Sequence, residues 1–441
     1  MIPDQVDFAR RGTRSILSAM PLPGPPDRIL VGPSGPLGGQ VTISGAKNSV
    51  LKLMAATCLA EGTYVLRNVP DITDVTCMAD LLASMGMTVT RTAPGELTLV
   101  HPPGIVPEAP YELVERMRAS IVVLGPLLAR YGRARVALPG GDDFGPRPID
   151  MHQRGLEQLG AVFTSAHGYI EATAEHLVGT SILLEFPSVG ATENALMAAV
   201  LARGTTVIDN AAREPEIADL AAFLNRMGAR VAGAGSSTIT IEGVDALAPV
   251  EHTVVPDRIE AATFLAALGV AGGAIRLVGA RAEHMDMYLQ KLTEMGMGIT
   301  VEPDGITAIA GQRLRSVDVS TLPYPGLATD YKPFFVAMLT TADGVGIVTE
   351  NIFSGRFRYI DELVRMGADI RTEGHHAVVR GRARLSGAPV RAHDIRAGAA
   401  LVVAALGAEG ETAVSDADHI DRGYEQFVEK LAGLGADVRR G

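Results

Sequence analysis

Cysteine is scarce in this chain. Cys58 and Cys77 are the only two in 441 residues, and each falls in a stretch whose apolar spacing predicts a helix. Two thiols so placed give no disulfide framework and no cysteine-based metal site, and they fit a reducing cytoplasm. Positive charge is also short, with a net charge of -11 at pH 7. A protein that coats nucleic acid needs a basic surface to neutralise phosphates, so that class is excluded. An anionic small molecule is not excluded, because a few arginines in one cleft can dominate the local field. No apolar run reaches the length that spans a bilayer, so no membrane insertion is expected. No G-x-G-x-x-G follows a first strand, which leaves a dinucleotide-binding dehydrogenase without support. No ligand cluster has metal spacing, so neither a metal nor an organic cofactor is expected.

What is present reads as a globular protein. Hydrophobic residues make up 47% and charged residues 20%, an ordinary soluble balance. A chain this long exceeds one ordinary core, which points to two large domains. Residues 1–27 carry Arg and Pro, including Met20-Pro-Leu-Pro-Gly-Pro-Pro26, with only a short apolar stretch at Ile16-Leu17. That is too weak for a signal peptide, and the segment reads as a mobile tail or a start-site artefact.

Internal repeats organise the rest. A Leu/Met-Gly pair recurs with its glycine at Gly86, Gly160, Gly228, Gly296, Gly367 and Gly435, at spacings of 74, 68, 68, 71 and 68. Each pair closes an apolar-periodic segment. Tyr424, Phe427, Val428 and Leu431, for example, have the i, i+3, i+4, i+7 spacing of an amphipathic helix that ends at a glycine cap. A second series runs through Gly62, Gly132, Gly204, Gly272, Gly344 and Gly410, at spacings of 70, 72, 68, 72 and 66. Each of these ends an Ala/Leu/Met-rich helix and precedes a β-type run. The unit reads strand–helix–strand–helix–strand–strand. Six units of this length make an α/β protein of two domains, three units each, and are too complete for a solenoid.

Counting back 14 or 15 residues from the second series gives Lys47, Arg118, Gly190, Arg258, Asp330 and Arg396. All six stand at the start of the first helix of a unit, and four are cationic. Arg and Lys are poor N-caps and are disfavoured by the helix dipole there. Free N–H groups at the same place attract anions. Three helix starts meeting in each domain, with the domains face to face, would make one anion-attracting cleft.

At these residues the chain resembles the UDP-N-acetylglucosamine 1-carboxyvinyltransferase family, whose relatives include 5-enolpyruvylshikimate-3-phosphate synthase. The resemblance runs from about Arg28 to the C-terminus. Its motifs are Ile43-Ser-Gly-Ala-Lys-Asn48, Met117-Arg-Ala-Ser120, the stretch Leu138–His152, Ser188-Val-Gly-Ala191, Asn210-Ala-Ala-Arg-Glu-Pro-Glu216, Asp257-Arg258, Thr329-Asp330, Phe353-Ser-Gly-Arg-Phe357, Asp394-Ile-Arg396 and His419-Ile-Asp-Arg-Gly-Tyr424. It implies two inside-out α/β domains, each of three βαβαββ repeats. Lys47 to about Val255 would form one, and Arg28–Ala46 with Pro256–Gly441 the other.

The resemblance also implies an activity: transfer of the enolpyruvyl group of phosphoenolpyruvate to the 3-hydroxyl of UDP-N-acetylglucosamine, with release of phosphate. By resemblance, Lys47, Arg118, Arg147, Arg396 and Arg422 match the binders of phosphate and carboxylate. Arginine's planar fork suits both groups. Asp330 matches the residue near the attacking hydroxyl, a candidate base. Arg147, Pro148, Ile149, Asp150, Met151 and His152 match the segment that holds uridine. Ser188, Val189 and Gly190 match the diphosphate contact, Asn48 a sugar contact, and Ile352 and Arg356 the strip beside the acceptor.

Two departures stand out. Many members carry a cysteine after the Gly-Gly of the mobile loop, where this chain has Asp142. In the family this residue is linked to protonation of the methylene carbon, and its thiol is the one alkylated by fosfomycin. A carboxyl group with a raised pKa can supply the same proton, and some members carry aspartate here. The second departure is Ser354-Gly355, where the family usually has an acidic residue and another side chain before Arg356. Paralogues in nucleoside-antibiotic pathways act on a uridine nucleotide such as UMP, which is the alternative acceptor. A catalytically dead homologue is the rival class. The intact set of Lys47, Arg118, Arg147, Asp330, Arg396 and Arg422 stands against it.

Overall fold

A computed structural model describes residues 27–138, 149–311, 313–353 and 355–441. The expectations placed on residues 1–26, on Asp142, Arg147 and Pro148, and on Ser354 lie outside the described residues.

Among the described residues, the strands make six four-stranded sheets and one two-stranded ladder. One plan recurs in the six sheets. An edge strand runs parallel to a central strand, and two antiparallel strands continue the sheet. Thus Ser181–Leu183 lies parallel to Thr205–Asp209, which pairs antiparallel with Thr238–Glu242 and that with Arg230–Ala232. With the helices Val189–Ala199 and Pro215–Arg226 between them, these strands read βαβαββ, the unit the glycine spacings predict. Ile182, Ile208, Ile239 and Ile241 share its buried face, as the two-residue period of a half-buried strand requires.

Both glycine series mark chain reversals. All twelve glycines have positive φ, from 66° at Gly132 to 128° at Gly62, a backbone region that side chains with a Cβ rarely enter. Three sheets borrow a strand from far along the chain, one of them through Leu37–Thr42, which lies parallel to Gly273–Val278. Glu251–Thr253 supplies the parallel edge beside Gly62–Arg67. Arg28–Val31 inserts between Thr412–Ser415 and Val438–Arg440.

The first helix of each unit is α1 (Lys47–Ala56), α2 (Leu124–Tyr131), α3 (Val189–Ala199), α4 (Arg258–Ala271), α5 (Lys332–Leu339) and α6 (Ile395–Ala405). Short 3-10 turns, Arg118–Val123 and Thr329–Tyr331, lead into α2 and α5. These helices are apolar almost all round and lie inside. Every residue of α6 is buried, as expected of a helix without a polar face. Strands such as Thr88–Ala93 turn outward, mostly exposed. Buried hydrophobic side chains fall into two clusters. One runs from Val50 to Val254, and the other joins Ile29–Ile43 to Ile259–Val438.

The chain passes between the clusters twice, and the two passages pair. Ala46 N–H donates to Val255 O at 2.7 Å, and Asp257 N–H donates to Ser44 O at 2.8 Å. Gly45 is needed between them, because a Cβ there would sit 1.7 Å from Asn68 O.

Two local expectations change. Cys58 lies in the 3-10 turn Thr57–Leu59 after α1, not in the helix itself. The last helix starts at Phe427, not near Tyr424, because Gln426 is left-handed with φ 50°. Tyr424 thereby places its hydroxyl 2.8 Å from Thr263 Oγ1 in the core. No helix among the described residues is long and apolar enough to cross a membrane.

Candidate active site

Three groups of predicted residues come together where the helix starts face one another. The first spans the two clusters. Lys47, first residue of α1, places Nζ 2.7 Å from Asp74 Oδ2. Arg422, from the other side, places Nε 2.9 Å from Asp74 Oδ1. Burial lowers the Lys47 pKa. Asp74 opposes that shift, and the charges of Arg396 and Arg422 reinforce it. One carboxylate therefore holds two cations, and a third cation, Arg396, acts on Lys47.

The second group lies on the 3-10 turn before α5, the first turn of α6 and the strip after the strand Val345–Thr349. Asp330 Oδ1 accepts from Arg356 Nη1 at 2.7 Å, and Arg396 Nε is 3.6 Å from Asp330 Oδ2. Burial opposes ionisation of Asp330, but the Arg356 and Arg396 charges outweigh it and hold the carboxyl far below the usual range. Burial disfavours the charged Arg396, yet Tyr424 and Asp330 raise its pKa. Asp394 caps α6, accepting from the N–H groups of Arg396 (2.8 Å) and Ala397 (2.9 Å). The Ile352 N–H donates to Glu350 Oε1 at 2.8 Å.

The third group belongs to the first cluster. Ile149 precedes the helix Asp150–Gln158, on which Met151 and His152 follow. His152 is buried, and its Nδ1 is 2.8 Å from Asn194 Nδ2. Burial, with the charge of Arg118, brings its pKa down to about 4. The imidazole lies against the start of α3, where a Cβ on Gly190 would be 2.8 Å from His152 Cε1. Ser188 caps α3, its Oγ accepting from Ala191 N–H at 3.4 Å, with Val189 and Gly190 half-buried behind it. Arg118 starts its 3-10 turn, and burial lowers its pKa. Asp150 keeps Oδ1 buried without a hydrogen bond among the described residues. Asn48 lends its carbonyl oxygen to Lys52 Nζ at 2.8 Å.

Arg258 is the helix-start cation that a carboxylate occupies in full. Its Nε and Nη2 lie 3.0 and 3.3 Å from the two Glu216 oxygens, and Nη1 donates to Tyr331 OH at 3.2 Å. Sequence reasoning missed the partners Asp74 and Glu216. Their signal was the same repeat. Counting 12 residues on from the second glycine series gives Asp74, Phe144, Glu216, His284, Arg356 and Arg422. Two of the three places in the first half are acids and two of the three in the second are arginines, and Asp74 meets Arg422 across the halves.

A repeated α/β fold that gathers five cations and a low-pKa carboxylate at one junction defines a transferase of anionic substrates, and the comparisons name its kind. The chain belongs to the EPSP synthase (3-phosphoshikimate 1-carboxyvinyltransferase) family, which it matches over residues 31–431. It is 53% identical over 419 residues to the UDP-N-acetylglucosamine 1-carboxyvinyltransferase of Nocardia farcinica (strain IFM 10152), covering 94% of this chain and 98% of that one. It is 52% identical over 415 residues to the protein of that name from Mycobacterium leprae (strain TN), at 94% and 99% coverage. Among solved structures, the enolpyruvyl transferase NikO from Streptomyces tendae superposes with a TM-score of 0.86 at 26% identity, covering 94% of this chain and 99% of that one. An EPSP synthase from Acinetobacter baumannii, at 19% identity, has a TM-score of 0.74 with 94% and 100% coverage and shares the fold.

Proposed function

We propose that the protein transfers the enolpyruvyl group of phosphoenolpyruvate to the 3-hydroxyl of UDP-N-acetylglucosamine. The observation that carries this reading is the junction of Lys47–Asp74–Arg422 with Asp330–Arg356–Arg396. It sets cations for a phosphate and a carboxylate beside an ionised carboxylate for a hydroxyl. Relatives at 52–53% identity bear that activity in their names. On this reading Lys47–Val255 is one domain and Arg28–Ala46 with Pro256–Gly441 the other. The reaction belongs to the cytoplasm and opens peptidoglycan precursor synthesis.

Lys47, Arg118, Arg147, Arg396 and Arg422 bind the phosphate and carboxylate, strong contacts because both partners are charged. Asp330 accepts the hydroxyl hydrogen and aligns the oxygen. That oxygen bonds to C2 of phosphoenolpyruvate while the methylene carbon takes a proton from the Asp142 carboxyl group. The tetrahedral adduct then loses phosphate, and the carboxylate that Asp142 became in the first step takes back a methyl proton, which restores the double bond. Ile149–His152 with Arg147 and Pro148 hold uridine. The start of α3 at Ser188–Gly190 offers N–H groups to the diphosphate. Asn48, Ile352 and Arg356 border the sugar.

Phosphate release from phosphoenolpyruvate tests the reading. It should require UDP-N-acetylglucosamine, and UMP should not replace it. Turnover with UMP alone would instead make the chain an enolpyruvyl transferase of nucleotides. Exhaustive chelation should leave the rate unchanged.

Asp142 makes a separate prediction. Fosfomycin's epoxide is opened by a thiolate, whereas a carboxyl group is a much weaker nucleophile. Turnover should persist in the drug, with no adduct found by mass spectrometry. Asp142→Cys should stay active and become sensitive. Asp142→Asn has no proton to give and should lose most turnover, and an Asn variant as fast as the parent would place the acid elsewhere.

A further inference from the structure

Lys332 and Glu350 form a charged pair that the reaction above does not use. Lys332 is the first residue of α5, two residues beyond Asp330. Its Nζ lies 3.2 Å from Glu350 Oε2, and neither side chain has any exposed surface. The ammonium also donates to the Arg356 carbonyl oxygen and sits 3.9 Å over the Phe357 ring. Glu350 turns its remaining lone pairs to the site's neighbours. Oε2 accepts from Thr329 Oγ1 at 2.7 Å. Oε1 accepts from Thr321 Oγ1 (2.8 Å) and from the N–H groups of Ile352 (2.8 Å) and Phe353 (3.1 Å). Thr329 Oγ1 in turn accepts from Arg356 Nη1 at 3.1 Å, and the same Nη1 holds Asp330.

Packing alone does not explain this arrangement. Two charges taken out of water cost several kcal/mol each, and apolar residues of similar volume would fill the space at least as well. Burial brings the Lys332 pKa down to about 8 against the pull of Glu350, so the pair is held at a cost. Its bonds reach the backbone or side chain of Thr329, Ile352, Phe353 and Arg356, of which Thr329 precedes Asp330 and Arg356 holds its carboxylate. We infer that Lys332 and Glu350 are a positioning pair, fixing Asp330 and the Ile352–Arg356 strip in one geometry for the acceptor's sugar end. The inference deepens the proposed function and rests on it for the identity of the acceptor.

The chain of contacts predicts a separable effect. Among the described residues, Ile149–His152 and the start of α3 belong to the other cluster, and no bond joins them to the pair. Removing the pair should spare uridine binding and damage what happens at the sugar. A displacement of about 1 Å at a reacting group costs up to about 100-fold in rate.

Three variants test this. Lys332→Met leaves a buried carboxylate uncompensated and should lose stability. Lys332→Met with Glu350→Gln removes both charges while keeping an acceptor for the backbone, and should melt close to the parent. Thr329→Val breaks the link from Glu350 to Arg356 while leaving both charges of the pair in place. In the double variant and in Thr329→Val, kcat should fall roughly 10- to 100-fold, while UDP affinity by calorimetry stays within about twofold. The affinity gained on going from UDP to UDP-N-acetylglucosamine should also shrink, a readout that needs no turnover. A double variant that melts and turns over like the parent would overturn the inference. So would UDP affinity falling in step with kcat, because that would mean a general loss of packing. A parent that gains no affinity from the sugar and releases no phosphate with UDP-N-acetylglucosamine would instead count against the acceptor. The same three-variant comparison, run with the nucleotide the parent does use, would then decide the inference.

Discussion

Arg396 shows why single residues matter more here than the charge count. Its Nε reaches Asp330, its plane faces Tyr424 at 5.1 Å, and its Nη1 is buried without a hydrogen bond among the described residues. A buried guanidinium N–H left over in this way is poised for an anion oxygen. Lysine offers no planar fork, so Arg396→Lys should cost about 2–3 kcal/mol of transition-state stabilisation, the scale of charged hydrogen bonds. The check is kcat/KM for phosphoenolpyruvate, and near-parent kinetics would remove Arg396 from the site. His152 supports a prediction about pH. Its ordinary value of 6.5 is brought down to about 4 in the fold. As pH falls below about 6.5, the unfolded chain therefore takes up this proton before the folded one does. The stability that neutral His152 contributes is present above that pH and is lost progressively toward pH 4. Relative to His152→Gln, the parent should lose on the order of 3 kcal/mol across that window, read from denaturant melts at several pH values. Glu193 and Glu260, pushed up to about 7 by burial, titrate in both proteins and cancel. Lys47, Arg118, Arg258 and Arg396 were legible from their helix-start positions in the repeat, whereas Arg356 and Arg422 were reached only through the resemblance. The acid partners Asp74 and Glu216 share one later place in the repeat, but which cation each meets was not legible, because a salt bridge between halves depends on how the halves meet.

At the scale of elements, the most connected cap is Asp257. Its Oδ1 accepts from the N–H groups of Ile259 (2.7 Å) and Glu260 (3.2 Å) at the start of α4. Its Oδ2 accepts from the Lys47 N–H at 3.3 Å, where α1 has no side-chain cap from Ala46. One carboxylate thus caps two helices that lie in different clusters, at the point where the chain crosses. A single cap is worth about 1 kcal/mol. Asp257→Ala should cost about twice that, and turnover should fall because both Lys47 and Arg258 start from these turns. Asp257→Asn keeps the acceptor oxygen on one side and should recover about half of the loss. Thermal melts with parallel kinetics check this, and an Ala variant as stable as the parent would dismiss the double cap. The elements themselves were readable in the sequence, because glycines with positive φ punctuate every unit at nearly one period. The borrowed strands were not. Arg28–Val31 pairs with residues near 412–415 and 438–440, and a parallel or antiparallel partner hundreds of residues away leaves no trace in spacing.

At the scale of the whole molecule, the buried hydrophobic side chains among the described residues form two clusters, joined by two short passages and by charges that meet across the boundary between them. Asp74 with Arg422, Glu216 with Arg258, and the Asp71 N–H with Glu425 Oε1 at 3.0 Å all cross it. Each of the first two is a buried carboxylate facing a guanidinium. Removing Glu216 leaves the buried Arg258 charge without its carboxylate, at a cost of about 3–5 kcal/mol. The halves are therefore held together by contacts that also serve the site, since Asp74 ties Arg422 to Lys47. Substrate anions placed between the cations add to the same attraction, so ligand should draw the halves closer and exclude water. On the proposed function, Ile149–His152 and the start of α3 take uridine and diphosphate from one half without closure, so the UDP-sugar should bind first and phosphoenolpyruvate second. Small-angle scattering should show compaction with the UDP-sugar plus a phosphoenolpyruvate analogue. Arg422→Ala should bind the UDP-sugar with nearly parental affinity, fail to compact and lose turnover. If that variant compacts like the parent, the attraction across the boundary does not drive closure. If it loses UDP-sugar affinity as well, the first substrate already needs both halves.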